Sequence, residues 1–589
     1  MPVFVNDDPP RSGWLRQGAP GIMSPDPCFG VSSELMVWSR SSLMRQPLVL
    51  LVACLAAADG SNLVQAAEAP LHQVIDRLVE SRAGKQPLAP MSDDAEFLRR
   101  VMLDLAGRIP TVAEARRFLG ETAADKRFTL IDSLLSGDDY PRRMQELFHV
   151  MLMERRGEHA EWTKFLRYAF NQNLPWDRVA RAMLSPDATD ENLRGAAYFL
   201  TARLTKEGAM APVDVPGLTR DVGRLMAGVD FGCAQCHDHV SIEDYKQVDF
   251  QGLHMIFENM QSRGGEFPAV TEKVMTKPRE FKSVFTRDPR TTPLRIPGAG
   301  DVSIRTFPKG EEYLVAPDRK AKRTGVLKFS PLRELAGGLA TGKNPLFARN
   351  IVNRLWFVMM GRGLVEPLDL FHSANPPTHP ELLDRLAGEF VLHKFDIKWL
   401  LGQLARTRCY QRSSRLPGDQ PLPPRSSYTV ANQKRLSAEQ LFWSTLVATG
   451  EIDRVKPATD DTLEKVVART ESLVELQKQF LKTFSNPPKE PEVDFAPTVK
   501  GALYLMHDQA VLELVKPRPG NLVTKLAAEP DTGKLSEALF LAVVSRGPTT
   551  ADVQVVAKLL ENKTGAARIE AIGQLAWALL ASTEFCLNH

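Results

Sequence analysis

Phe97-Leu98-Arg99-Arg100-Val101-Met102-Leu103-Asp104-Leu105 is the stretch from which the fold class follows. Phe97, Leu98, Val101, Met102 and Leu105 recur at steps of three and four, the rhythm of one buried helix face. The pattern stops at Gly107-Arg108-Ile109-Pro110. Thr111-Val112-Ala113-Glu114 then predicts a new helix start, with the Thr hydroxyl and the Glu carboxylate satisfying free amide groups. Downstream, Ile131, Leu134, Leu135, Met144, Leu147, Phe148, Met151 and Leu152 keep the same spacing. Phe165, Leu166, Tyr168, Phe170 and Val179–Met183 predict further helices, separated by Asn173-Leu174-Pro175. Residues 70–261 therefore read as one helical domain.

Residues 262–330 change character. Gly264-Gly265, the Pro-rich Arg287–Gly300 run and Val302–Phe307 predict loops with a few short strands, a connector. Helical spacing returns from Leu332 to about Arg408 and again over Ser437–Gly450, where Ser437 is the predicted N-cap and Glu439 lies in the first turn. Two final helices are expected near Thr550–Asn562 and Ala566–Ser582. The expected fold is mainly α, two helical domains (70–261 and 331–589) joined by a loop-rich connector with a small β element.

A chain of 589 residues is long enough for two or more cores. Its 43% apolar and 25% charged residues are those of an ordinary globular protein, and a net charge of +3 gives nucleic-acid binding no electrostatic support. The basic cluster Arg319–Arg323 follows Pro317-Asp318 and reads as a solvated loop. Residues 1–35 are rich in Pro, Gly and Ser and read as an extension outside the fold. Residues 36–66 read as a secretory signal: Arg40 and Arg45, then the apolar Leu48–Ala58, then Val64-Gln65-Ala66 as the cleavage site. The apolar run is short for a membrane span, and no other stretch reaches that length. The expected location is outside the cytoplasm, periplasmic or cell-surface. A lipid anchor at Cys54 ranks second.

Of six cysteines, Cys28 and Cys54 precede the mature chain, and Cys409 and Cys586 stand alone as buried hydrophobes or one disulfide. The other two form Cys233-Ala234-Gln235-Cys236-His237. Thiols three residues apart suit the two vinyl groups of a haem, and the histidine that follows reaches the iron from one side. Export and motif support each other, because c-type haem is attached outside the cytoplasm. Gly228–Gly232 is expected to let backbone approach a large flat group. Candidates for a second iron ligand are His239, His254, Met255 and Met260; a five-coordinate iron is the alternative. The same residues also suit zinc held by Cys233, Cys236 and His237 or His239, a redox dithiol, or a plain disulfide. His379, in the rigid Asn375–Pro380 turn, is a weaker candidate, read first as a loop histidine satisfying backbone groups and only second as catalytic. No nucleophile elbow, phosphate loop or dinucleotide fingerprint is present.

Several longer stretches carry a family resemblance. Leu103–Thr111, Ile131–Ser136, Phe170–Asp177, Cys233–His239 and Asp249–Leu253 resemble the planctomycete cytochrome C-like domain of unknown function. Asn344–Arg349, Asn353–Trp356, Gly361–Pro367, Asn375–Leu383, Tyr410–Ser414 and Arg435–Gln440 resemble the PSD-type domain that accompanies it, and Ala578–His589 is similar to its closing segment. Val240 stands where the family commonly has proline, and Met151–Gly157 differs from the family pattern. The separate N-terminal cytochrome domain of many relatives has no counterpart in this sequence, which leaves one haem motif. The resemblance implies an exported cytochrome-like protein with one covalent haem and an extracytoplasmic redox or protein partner. The alternative is a non-haem scaffold or binding protein, linked to extracellular polysaccharide use, whose motif holds a metal or a disulfide. No reaction is assigned.

Overall fold

In the computed structural model the Asp94–Leu105 helix begins at Asp93, whose carboxylate accepts the Glu96 amide N–H. Phe97, Leu98, Val101, Met102 and Leu105 are all buried on the face the spacing predicts. Gly107 turns the chain at φ +71, where a side chain would collide with the Arg143 stem at 2.8 Å. Thr111 and Glu114 close the expected capping box at the head of the Val112–Gly120 helix. The structure describes residues 69–204, 213–318, 320, 324–418, 420–455, 465, 467–468, 470–491 and 499–589. The extension, the signal segment, Cys54 and most of the Arg319–Arg323 cluster lie outside them.

Helices Lys126–Ser136, Asp139–Met153, Ala160–Asn171 and Trp176–Leu184 follow in sequence. The Val215–Val222 helix then runs straight into a π-helical turn at Gly223–Ala227, which Gly228 ends in the left-handed region. Helix Gln247–Glu258 closes this stretch. The connector holds four antiparallel hairpins, built from Met260–Arg263 with Ala269–Glu272, Arg279–Lys282 with Pro289–Thr292, Leu294–Ile296 with Gly300–Val302, and Tyr313–Val315 with Val326–Leu327. The strand expected over Val302–Phe307 is absent beyond Val302. Its partner Leu294–Ile296 is three residues long and leaves Ser303 onward no ladder to join.

The later helices Pro331–Leu339 and Pro345–Met360 each place proline in the first turn behind a capping Ser330 or Asn344. Pro380–Leu392, Ile397–Arg406, Ala438–Thr449, Thr550–Leu560 and Gly565–Leu580 are the longer remaining helices where helices were expected, and Ser437 caps as predicted, paired with Gln440 in a capping box. The architecture is mainly α with a small β element between the two helical parts.

Packing does not follow chain order. One core runs from Leu71 across the connector to Tyr428 and takes in Leu541 from a late helix. The second gathers residues from Leu436 to Phe585 together with Leu103 and Ile109 from the early helices. The last strand, Leu587–Asn588, pairs with Lys434–Arg435. A buried ion network joins early and late segments: Arg224 reaches Glu154 at 2.7 Å, Asp221 at 3.0 Å and Asp369 at 2.9 Å, while Arg203 and Arg156 hold Asp221 at 2.7 and 2.9 Å, and Arg354 pairs with Asp369.

Candidate functional site

The Cys-x-x-Cys-His segment sits on a short turn held by its neighbours. Asp230 accepts the Gly232 amide N–H at 2.9 Å, and Cys233–Gln235 form one 3-10 turn closed by the Cys236 N–H on the Cys233 carbonyl. From the Gln247–Glu258 helix, Gln247 donates through Nε2 to the Cys236 carbonyl at 2.9 Å, and Gln251 donates to the Gln235 carbonyl at 2.9 Å. The amide of Val284, in the turn of the Lys282–Pro289 hairpin, also donates to the Cys236 carbonyl. The backbone is thereby pinned from two sides, while the side chains of Cys233 and Cys236 remain free thiols exposed to solvent.

His237 is half-buried. Its Nδ1 lies 2.7 Å from the Asp238 carbonyl oxygen. A carbonyl only accepts, so Nδ1 donates, and in the neutral ring that tautomer leaves the lone pair on Nε2. The ring lies 4.5 Å from that of Phe285, which is exposed on the hairpin turn next to exposed Val284. Two thiols, one ring nitrogen and adjoining apolar side chains are the groups a covalently tethered haem would use here.

The other ligand candidates are placed differently. His239 accepts the amide N–H groups of Ser241 and Ile242 on Nδ1, at 3.2 and 3.0 Å, so it ties the following turn. His254 is buried, its Nδ1 3.1 Å from the Thr219 hydroxyl and its ring stacked on Phe250. Burial, with Arg279 nearby, pulls its pKa down to about 4. Met255 and Met260 belong to the first core. Cys233 and Cys236 are exposed on one turn with half-buried His237 next to them, while His254, Met255 and Met260 lie inside. Among the described residues no group of three or more His, Cys, Asp and Glu is arranged to hold a metal ion. Cys409 and Cys586 are likewise free thiols, not a disulfide.

The glycine expectation needs a correction. Gly228 lets backbone approach, but toward Phe371: a Cβ there would meet that ring at 2.5 Å, and the Phe371 amide donates to the Gly228 carbonyl. His379 is buried at the start of the Pro380–Leu392 helix with Nδ1 3.1 Å from the Thr378 hydroxyl, and burial followed by the charge of Arg82 pulls its pKa down to about 4. Gln247 and Gln251 were missed by sequence reading. Their spacing of four on one helix was the available signal; Phe285 had none, because a hairpin turn delivers it.

The fold and the turn define a mainly helical protein of two helical parts, with a surface Cys-x-x-Cys-His element in the first. Residues 74–262 match PSCyt2, a protein of unknown function (DUF1549), and residues 333–560 match PSD1, a protein of unknown function (DUF1553). The chain carries these two domains in that order, as its motifs implied. No curated protein and no solved structure matches it.

Proposed function

We propose that this chain is an exported cytochrome-c-like protein with one haem tethered through Cys233 and Cys236, ligated by His237, and serving electron exchange with an extracytoplasmic partner. The observation that carries the reading is the pair of free, exposed thiols on one turn beside an imidazole whose Nδ1 is committed to the Asp238 carbonyl. Gln247 and Gln251 hold that turn, and the Asp238 carbonyl fixes the tautomer that presents Nε2, the outer-shell role that orients a metal-binding histidine. Phe285 and Val284 supply apolar surface for a flat group. When bound, the haem supplies one-electron redox chemistry. The domain name PSCyt2 supports the cytochrome-like reading.

The test is production with periplasmic export and haem-attachment machinery, followed by acid–acetone extraction. The expected result is a Soret band that stays with the protein at one haem per chain and vanishes in Cys233→Ala/Cys236→Ala. Protein without the band, or a band retained by the double variant, overturns the proposal and favours the non-haem scaffold.

A further inference from the structure

Away from the Cys-x-x-Cys-His turn, a cavity of about 510 Å³ lies between the Asp139–Met153 helix, the end of the Pro345–Met360 helix and the Lys434–Arg435/Leu587–Asn588 strand pair. That volume is in the range of small-molecule sites. Leu147, Val150, Phe357 and Val358 give it an apolar portion.

The charges in its lining are not balanced. Three of the four carboxylates there are already paired with a cation, and the fourth, Glu366, accepts a backbone amide. Asp104 accepts from Lys434, Tyr410 and Asn588; Glu146 pairs with Arg142 and accepts from Trp443; Glu439 pairs with Arg155; Glu366 accepts the Gly363 amide N–H. The arginines are not matched in this way. Among the described residues, the lining arginines Arg143, Arg362, Arg425 and Arg435 make no direct ion pair with a carboxylate; exposed Arg425 donates to the Gly361 and Gln433 carbonyls, and Arg143 feels Glu146, Asp104 and Glu439 only at longer range. Arg143 is 5% exposed, and its hydrogen bond is a long one of 3.4 Å from Nε to the Asp104 carbonyl. The Nε of Arg362 is buried with no partner at all. Burial holds the guanidiniums of Arg143 and Arg435 below their ordinary pKa, and for Arg143 it outweighs the pull of Glu146, Asp104 and Glu439 nearby. A guanidinium does not escape by losing its proton, so such a group calls for an anion.

We propose that this cavity binds a small organic anion, its apolar or ring body against Leu147, Val150, Phe357 and Val358 and its oxyanion on Arg143, Arg362 and Arg435. Planar forks of N–H donors suit carboxylate, sulfate and phosphate groups alike. The site is independent of the haem proposal and keeps its binding in Cys233→Ala/Cys236→Ala.

Calorimetric titration of the purified full chain with benzoate, phenyl sulfate and phenyl phosphate, against neutral benzyl alcohol at matched ionic strength, tests this and tells the three anion classes apart. The expected result is saturable one-to-one binding of at least one anion and none of the alcohol. Arg362→Gln and Arg435→Gln should each weaken it roughly tenfold or more, the loss of one charge-assisted hydrogen bond. Thermal melts of the same samples separate lost binding from lost fold, and half-buried Arg435 carries the test where an Arg362 variant unfolds. No saturable anion binding, equal binding of the alcohol, or unchanged affinity in folded variants overturns the proposal.

Discussion

Asp104 shows how much one side chain can decide. It is buried within the Asp94–Leu105 helix and receives Lys434 Nζ at 2.6 and 2.7 Å, the Tyr410 hydroxyl at 2.8 Å and Asn588 Nδ2 at 2.9 Å. Three distant segments meet on one carboxylate. Asp104→Ala strands a buried lysine, and we expect a loss of about 3–5 kcal/mol in urea unfolding, with Asp104→Asn, which keeps the shape, losing less. A loss below about 1 kcal/mol would show that the cluster carries no net stability. In the sequence Asp104 is one polar position in a helical pattern; nothing near it announces its partners. His239 is a similar case. Its place two residues after His237 marked it as a possible ligand, yet Nδ1 is spent on the Ser241 and Ile242 amides.

At the scale of elements, short-range signals read correctly. The Thr111–Glu114 and Ser437 starts were legible because a cap and its amide lie within three residues of each other. The π-helical turn at Gly223–Ala227 was not; Gly228 ends it close against Phe371 and Asn350, which lie more than 120 residues further along the chain. Gly228→Ala must place a side chain at φ +71 and 2.5 Å from the Phe371 ring. We expect about 2 kcal/mol or more of lost stability in thermal unfolding, from left-handed strain plus the clash. Gly232→Ala is the control: its φ is −47 and its Cβ would meet only the Asp230 carboxylate at 3.3 Å. It should change stability by less than about 1 kcal/mol. Equal effects of the two would remove the close-approach argument.

At the scale of the whole molecule, buried ionisable groups set the response to acid. His254 and His379 ionise near 4 in the folded protein and near 6.5 when unfolded, so the unfolded chain binds more protons between those values. Their contribution is complete above about pH 6.5 and falls as pH drops toward 4, by about 1.4 kcal/mol per pH unit for each group. Burial alone would raise Asp221, but Arg203, Arg156 and Arg224 hold its carboxyl below the ordinary value, so its share is lost only at lower pH still, below about 4. Denaturation midpoints measured from about pH 7 down to about pH 4.5 should fall, and His254→Gln/His379→Gln should flatten the slope. An unchanged midpoint across that interval would contradict the account. What the sequence by itself determined is the helical class, the β-bearing connector, the two-domain resemblance and the Cys-x-x-Cys-His spacing, because each rests on periodicity or neighbours a few residues apart. Only the tertiary structure decided that Leu103 and Ile109 join the later core, that Glu154, Asp221 and Asp369 share arginines, that Asp104 meets Asn588, and that Cys233 and Cys236 face solvent while His254 does not. Those outcomes depend on pairing groups tens to hundreds of residues apart, and burial and charge neutralisation choose such partners only once the whole chain has packed.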